Sequence, residues 1–416
     1  MHEVYIPRIQ RGNTCFAANV LRATGPLLSA LVHFFEQGRW GSLVETSIEG
    51  QGLKAEDKLF ILMQAGLYLT ATRGMGAPEA RVCFECAEPL CHSLYHPRFL
   101  SMTLAGLYRY TLMTDKLSAT IQIAERICSL AQEQNDPALI IGACSASATT
   151  AYFLGNLESA RQYARQGVQI WRLRGIQPSA EDYFTPVVTC LVYWATCEWH
   201  FGEIASCHAL MDEGISIAKE LKDMNSLAMA LNWAARLAVD ELNPAEVDRL
   251  ASDLIELSTR HNFLYWLALG AIHRGWARSA SGDTAESISW IEQGIREVRA
   301  TGTVLTLPDW LALKAEALHL AGRSSEALEA LNEGETLAER FEQRVYFSRL
   351  HRFRGVLLAT LGAEDAQIEA SFCEAVRIAK EQKSVSLAKR AEATYAEYCR
   401  QKASRSGGRG IRLPLW

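Results

Sequence analysis

The chain has 416 residues, of which 49% are hydrophobic and 21% charged, and its formal net charge is −5. This composition supplies a continuous apolar core and excludes disorder over most of the length. The acidic balance creates no global positive field, so we expect no nucleic acid partner. We also expect a cytoplasmic protein without membrane contact, because the sequence has no signal-peptide core and no run of about eighteen apolar residues that would span a bilayer.

Residues 1–25 show no periodicity, which favours a loosely ordered N-terminal arm. A helical pattern begins at Pro26, and a glycine-rich break at 49–53 separates it from the rest. Beyond that break, apolar residues recur every three or four positions in paired segments joined by tight turns, which predicts helical hairpins. The paired segments are 54–72 with 78–95, 98–113 with 117–134, 137–154 with 157–172, 186–201 with 205–221, 225–241 with 244–260, the two halves of 262–302, 308–321 with 325–340, and 345–361 with 366–382.

Glycines mark the turns at a regular interval. Gly282, Gly322 and Gly362 are 40 residues apart, and Gly202 lies 80 residues, or two intervals, before Gly282. Such a period is typical of a solenoid of stacked hairpins, and no segment shows a strand-like alternation. We therefore predict an all-α solenoid of about eight hairpins over 26–401, with the longest loop insertion at 174–184, a capping helix at 385–401 and a flexible basic tail at 402–416.

Small residues recur in these units in a way that resembles the tetratricopeptide pattern. That pattern places Gly or Ala in the first helix, Gly at the turn, and a small, a large apolar and another small residue in the second helix. The matching positions are Gly275, Gly282, Ser287, Ile291 and Gly294 in one unit, and Ala315, Gly322, Ala327, Leu331 and Gly334 in the next. The predicted fold class is thus a tetratricopeptide-like α-solenoid, although the period is nearer 40 than 34.

A second resemblance covers roughly residues 53–401. Strings such as ATRGMGAPEA, YFLGNLESARQYARQG, WLALGAIHRGWA and DWLALKAEALHLAG, in that order, resemble the C-terminal helical region of bacterial multidomain signalling proteins. In those proteins a nucleotide cyclase, a kinase or a winged-helix module precedes a STAND-type P-loop ATPase. The resemblance implies a sensing or docking role. The phosphate-binding motif G-x-x-x-x-G-K-[ST] does not occur in this sequence, so the catalytic activities do not transfer.

One cluster has the residue types of a zinc site. Cys83, Cys86, Cys91 and His92 lie within ten residues, and the first pair has CxxC spacing. However, the segment has a helical pattern in which Cys83 and Cys86 occupy one face, so we interpret it as structural and predict no metal. We interpret the eleven cysteines of the chain as reduced thiols.

No catalytic motif is present in the sequence. His200 and His208 flank Glu203 without H-E-x-x-H spacing, and no G-x-S-x-G turn occurs. Cys190 and Cys197 are seven residues apart, which places them on one helical stripe as core residues rather than a redox pair. We expect neither enzymatic activity nor a cofactor.

Candidate binding residues follow from the geometry of stacked hairpins. The first helix of each hairpin lines the concave surface, and positions pointing away from the second helix should be exposed there. These positions are Tyr152, Trp199, His200, Asn232, Arg236, Trp276, Glu316, His319, Arg349 and Arg352. Aromatic and charged groups together suit a peptide or small-ligand groove, although any solvated helix face also contains such a mixture.

The function we expect is therefore a non-enzymatic scaffold or sensor module that binds a protein segment or effector on its concave face in bacterial signalling. Two alternatives remain open: a small-molecule sensor whose cavity is lined by the central tryptophans, and a fragment of a cyclase or ATPase signalling enzyme. The basic tail is interpreted as a solvated end rather than a site for nucleic acid or lipid.

Overall fold

A computed structural model describes residues 54–175, residues 185–404 and Leu413. The predicted N-terminal arm, the helix from Pro26, most of the loop insertion and most of the basic tail lie outside the described residues. Within the described ranges the chain forms α-helices, one short 3₁₀ turn at Arg344–Tyr346 and no strand. The helices are α1 Ala55–Arg73, α2 Pro78–Ser93, α3 Pro97–Thr114, α4 Leu117–Gln134, α5 Pro137–Phe153, α6 Leu157–Arg174, α7 Pro186–Phe201, α8 Ile204–Glu220, α9 Met224–Asp240, α10 Pro244–His261, α11 Leu264–Ala280, α12 Ala285–Ala300, α13 Leu307–Leu320, α14 Ser324–Arg340, α15 Phe347–Leu361, α16 Asp365–Glu381 and α17 Val385–Ala403.

The helices pair in sequence into eight hairpins, α1 with α2 through α15 with α16, and α17 closes the array. The odd-numbered helices up to α15 are the first helices of their hairpins. This arrangement confirms the prediction of an all-α, tetratricopeptide-like solenoid. Prolines occupy the first turns of helices, where the missing N–H costs no hydrogen bond. They are Pro78, Pro137, Pro186, Pro244 and Pro308, as the sequence predicted.

The turns inside the hairpins follow the predicted interval of 40. Gly202, Gly282, Gly322 and Gly362 all have positive φ, between 74° and 100°, a conformation that glycine adopts without a steric penalty. The missing member of the series is Leu242, which lies 40 residues after Gly202 and has a φ of 59°. The backbone repeat is therefore complete, although its sequence signature is absent at this turn.

The solenoid is tightly wound, so that the connections inside its first hairpins contact the connections between its last helices. Turns within the first four hairpins contact the connections that follow later hairpins. The contacting pairs are Met113 with Val304, whose backbone groups are 2.7 Å apart, Ser118 with Glu342 at 2.7 Å, Glu158 with Lys383 at 2.5 Å, and His200 with Ser384 at 2.8 Å. We call this set of contacts the seam. Because the seam joins successive turns of the superhelix, it separates the inner surface of the solenoid from solvent.

The main apolar core runs through the array from α3 to α17, and a smaller cluster lies around α1 and α2. Among the described helices, none combines the length and the apolar character that crossing a bilayer requires.

Candidate functional site

The ten predicted binding positions all lie on first helices, from Tyr152 on α5 to Arg352 on α15, but the expectation that they are exposed is wrong for nine of them. Trp276 is 1% exposed, and even Arg236 and Arg349 are only 8% exposed. His319 is half-buried. The remaining buried positions are Tyr152, Trp199, His200, Asn232, Glu316 and Arg352. The physical reason is the seam, which closes the inner surface that an open solenoid would leave in water. Their role in binding stays a prediction.

Charged side chains from three first helices, α9, α13 and α15, meet at the axis. Arg236 on α9 makes a bidentate contact with Asp309 on α13, in which Nη2 lies 2.9 Å from Oδ1, and its Nη1 lies 3.0 Å from Asp240. Arg349 on α15 contacts three carboxylates, those of Asp240, Asp309 and Glu316, at 3.2 to 3.3 Å. We call these five residues the axial network. Each of their side chains is at most 13% exposed.

Burial and pairing compete in setting the ionisation of this network. Burial raises the pKa of Asp309 to about 6, against the opposing attraction of the Arg236 guanidinium. Burial alone would lower the pKa of Arg236, but Asp240 and Asp309 outweigh it, and the pKa is raised. Burial also raises the pKa of Glu316, although the Trp276 indole N–H donates a 2.7 Å hydrogen bond to that carboxylate. The network is therefore held together by partners that compensate buried charge.

Arg352 balances the charge beside the network. Arg236, Arg349 and Arg352 are three cations next to the three carboxylates of Asp240, Asp309 and Glu316. Burial lowers the pKa of Arg352 to about 10, and the neighbouring Arg390 acts in the same direction. Glu316 and Asp240 oppose that shift. At Arg352, unlike Arg236, the effect of burial on the pKa thus outweighs the attraction of the carboxylates.

An aromatic wall lies next to these charges. The ring of Tyr152 is 5.3 Å from Tyr193, 5.6 Å from Trp233 and 5.9 Å from His200, measured between centroids. Burial lowers the pKa of His200 to about 4. The imidazole is therefore neutral near pH 7, and this side of the axis offers aromatic surface without a cation.

A second buried histidine lies deeper in the stack. His273 Nε2 is 3.1 Å from the Asn232 side-chain oxygen, and its ring packs edge-on against Trp310. Burial lowers the pKa of His273 to about 3, and the positive charge of Arg236 adds to this effect. Asn232, a predicted binding position, is therefore engaged inside the protein.

A cavity of about 30 Å³ remains between the aromatic wall and the axial network. A buried site needs roughly 10–15 Å³ for each water molecule, so one or two waters fit. Arg236 lines this cavity, and its Nη1 is held by the Asp240 carboxylate 3.0 Å away. A peptide side chain therefore enters this cavity only if the surrounding helices move apart.

The cysteine-rich segment does not converge on one point. Cys83 and Cys91 are each 1% exposed in the core, and Cys91 Sγ lies 3.6 Å from the Thr103 hydroxyl. The side chain of His92, by contrast, is 60% exposed. Across residues 54–175 and 185–404, no group of three or more His, Cys, Asp or Glu side chains is arranged to hold a metal ion.

The other candidate groups also lie apart. His200 is buried at the seam, whereas His208 is exposed and pairs with Glu241 at 2.6 Å. Cys190 and Cys197 are fully buried free thiols of α7. Burial raises the pKa of both, which makes them unreactive core residues.

Sequence reasoning missed several members of the site. Asp240 follows Arg236 by four residues on the same helix, a spacing that places the two side chains together, so a signal was available. Asp309 lies 73 residues from Arg236, and no local pattern links them. Tyr346 lies on the short 3₁₀ turn and lines the cavity, and nothing in its sequence context indicated this.

Comparisons with known proteins place the chain among helical-repeat proteins. The family profile of anaphase-promoting complex subunit 5 matches residues 178–241 and 347–400. An uncharacterized protein of Rhizobium meliloti (strain 1021), R02095, is 22% identical over 349 residues, which are 82% of this chain and 33% of that protein. The chain thus spans about a third of the length of this curated relative.

Two solved structures share the fold at 11% identity. The match to a Rap protein complexed with Competence and Sporulation Factor covers 84% of this chain and 99% of the Rap chain, with a TM-score of 0.53. The match to NprR in complex with its cognate peptide NprX covers 85% of this chain and 94% of the NprR chain, with a TM-score of 0.55. At this level of identity the likeness establishes the fold: the chain is a tetratricopeptide-like α-solenoid.

Proposed function

We propose that this chain is a non-enzymatic scaffold or sensor module that binds a protein segment on the inner face of its solenoid and acts in cytoplasmic bacterial signalling. The observation that carries the proposal is the convergence of six first helices, α5 to α15, on one axis. Each of these helices contributes an aromatic or charged side chain there. They include Tyr152, His200, Arg236, Trp276, Asp309 and Arg349.

The chemistry of these groups suits recognition of a peptide. Aromatic and arginine side chains dominate the binding energy of protein interfaces because they bury a large area and donate several hydrogen bonds. In this chain neighbouring side chains hold them in place, which lowers the ordering cost of binding. The structures of NprR with its cognate peptide NprX and of a Rap protein with Competence and Sporulation Factor lend further support.

Binding on this face requires the seam to open. The cavity of about 30 Å³ is too small for a peptide, so the bound form must have a wider axis. A solenoid widens when small shifts between neighbouring repeats add up. A ligand shifts the protein towards such a form only by binding it better than the closed form. Binding is therefore read out as a change of curvature.

A second candidate places the repeats inside a larger signalling enzyme that carries a cyclase or an ATPase. The supporting observation is the length of the R. meliloti relative, of which the match covers 33%. In that arrangement the inner face would sense an effector for catalytic domains. A small-molecule effector is the other alternative, and the small cavity beside Tyr152, Trp199 and Trp233 favours it.

A selection experiment tests the proposal. A displayed random-peptide library is selected on the full chain, and the best peptide is remade with a photo-crosslinking residue. We expect crosslinks on first helices, near Tyr152, Trp199 or Tyr346. A Tyr152→Leu variant should bind the peptide about tenfold more weakly, and Arg249→Ala, on the exposed face of α10, should bind it as wild type does.

Crosslinks confined to second helices would refute binding on the inner face. If no peptide is selected and a metabolite alone raises the melting temperature, the small-molecule alternative replaces the proposal.

A further inference from the structure

The first two turns of α17 lie on the inner face of the solenoid, across the seam from α7. Ser384 Oγ, at the N-cap, lies 2.8 Å from His200 Nδ1, and the Ser386 hydroxyl donates to the Trp199 carbonyl at 2.5 Å. Leu387, 7% exposed, lines the axial cavity. This helix therefore does more than cap the last hairpin, which was its predicted role.

Arg390, one turn further along α17, completes the contact. Its guanidinium stacks over the Trp199 ring at 5.9 Å and donates to the backbone carbonyl of Asp240. Asp240 is the last residue of α9, and Trp199 belongs to the last turn of α7. Carbonyls at helix C-termini carry partial negative charge. The Trp199 carbonyl also accepts the Gly202 N–H at 3.0 Å, and a carbonyl oxygen has two lone pairs, so it can accept a second donor. The surface that α17 covers thus selects hydrogen-bond donors and a cation.

The other end of α17 is anchored separately. The Tyr398 hydroxyl donates to Asp365 at 2.7 Å, its ring lies 5.7 Å from that of Phe372, and Lys402 pairs with Glu369 at 2.8 Å. These partners all belong to α16, the neighbour of α17 in the array. Only the N-terminal end of α17 reaches across the seam, so that end can leave α7 while the other end stays in place.

We infer that Ser384–Arg390 is an internal occupant of the binding face, and that the partner this face accepts is a helical segment presenting two hydroxyls, a leucine and an arginine at i, i+2, i+3 and i+6. The inference rests on the proposed function and names the chemistry of its partner. A carboxylate in place of Ser386 or Arg390 does not fit, because the Trp199 and Asp240 carbonyls that it would meet are acceptors and repel it.

An internal occupant competes with any incoming segment. Because it is tethered, its effective concentration is on the order of millimolar, and the affinity for a partner is reduced by the fraction of chains whose face is free. Weakening the internal contact should therefore strengthen binding in trans without any new contact.

The test uses the α17 sequence as the probe. A fluorescein-labelled peptide of residues 382–403, carrying Cys399→Ser, is titrated with the full-length chain, and fluorescence anisotropy is measured. We expect Arg390→Ala protein to bind the peptide at least about tenfold more tightly than wild type does, because a charged hydrogen bond that holds the internal occupant is lost. Arg400→Ala is the matched control: it lies on the same helix, its side chain is 75% exposed, and it should leave binding unchanged.

A second peptide, itself carrying Arg390→Ala, should bind the Arg390→Ala protein at least about tenfold more weakly than the first peptide does. If that protein does not fold, as judged by circular dichroism, Ser386→Ala replaces it. The inference is overturned if the folded variants bind the peptide no more tightly than wild type or Arg400→Ala does, or do not bind it at all. In that case library-selected peptides that crosslink to the inner face would still support the proposed function, so the two failures are distinguishable.

Discussion

Gly275 on α11 provides the sharpest test of hairpin packing, because its missing side chain is what lets α12 approach. A Cβ built at this position would lie 2.7 Å from Ile291 Cγ1 and 2.8 Å from the Ser287 carbonyl oxygen. The isoleucine side chain can rotate, but the carbonyl belongs to the backbone of α12. Gly275→Ala therefore forces the two helices apart.

A matched control separates packing from helix propensity. Gly142, inside α5, has no heavy atom within 4 Å of the position where its Cβ would be. Replacing a mid-helix glycine by alanine favours the helix by about 1 kcal/mol at either position. Overpacking costs about 1–3 kcal/mol and applies only at Gly275. We expect Gly142→Ala to be more stable than wild type, and Gly275→Ala to be about 1–3 kcal/mol less stable than Gly142→Ala. Gly275→Leu should be less stable than Gly275→Ala, because its side chain is larger.

The assay is urea unfolding, with the midpoint and slope recorded for each variant. Repeat arrays do not always unfold in one step, so hydrogen exchange in α11 and α12 supplies a local readout. In the Gly275→Ala chain we expect faster hydrogen exchange than in wild type in α11 and α12, and an unchanged exchange rate in α5. Equal midpoints for the two alanine variants would refute the argument that this glycine sets the distance between the helices.

Three further outcomes follow from buried groups and backbone geometry. Trp276→Phe removes the 2.7 Å hydrogen bond to the buried Glu316 carboxylate, so its urea midpoint should report about 1–3 kcal/mol less stability than that of Trp310→Phe, whose indole N–H has no acceptor. The pKa of His273 is lowered to about 3 in the folded chain. Below about pH 6.5 this histidine is therefore protonated in the unfolded chain but not in the folded chain, so stability is lost as pH falls from 6.5 towards 3. His273→Gln should flatten that loss by about 1.4 kcal/mol per pH unit in melts between pH 4.5 and 6, and an unchanged slope would contradict the assignment. Leu242→Gly should raise the free energy of unfolding by up to about 1 kcal/mol, measured by urea unfolding, because the φ of 59° strains a leucine. A lower free energy would mean that the leucine side chain stabilises the fold by more than the strain costs.

The sequence was sufficient for the features that depend on neighbours along the chain. The hairpin of residues 225–241 and 244–260 was predicted to within a residue of α9 at both ends, since apolar periodicity and a helix-starting proline are local signals. The turn at Leu242 has no glycine, and its place followed from the helical patterns on both sides, from Pro244 and from the interval of 40. Local patterns thus predict which segments pair.

The burial of the inner face was beyond such reasoning. The seam joins residues far apart in the chain, such as Trp199 and Ser386, which are separated by 187 positions. Whether they meet depends on the pitch of the superhelix, which is the sum of small rotations between repeats. A slightly looser winding would leave the same ten positions exposed, as the sequence alone suggested. The sequence therefore predicted the helices on which the ten positions lie, but it could not predict that these positions are buried.

The charges on the axis are difficult to explain by stability alone. Replacing buried ion pairs with well-packed apolar side chains is often neutral or stabilising by about 1–4 kcal/mol. An axis that stayed closed would therefore gain little from Arg236, Asp309 and Arg349. A face that meets water whenever the seam opens has a different requirement, because a large exposed apolar patch favours aggregation. Paired charges satisfy both conditions: they neutralise one another when the solenoid is closed, and they are solvated or bind a partner when it is open.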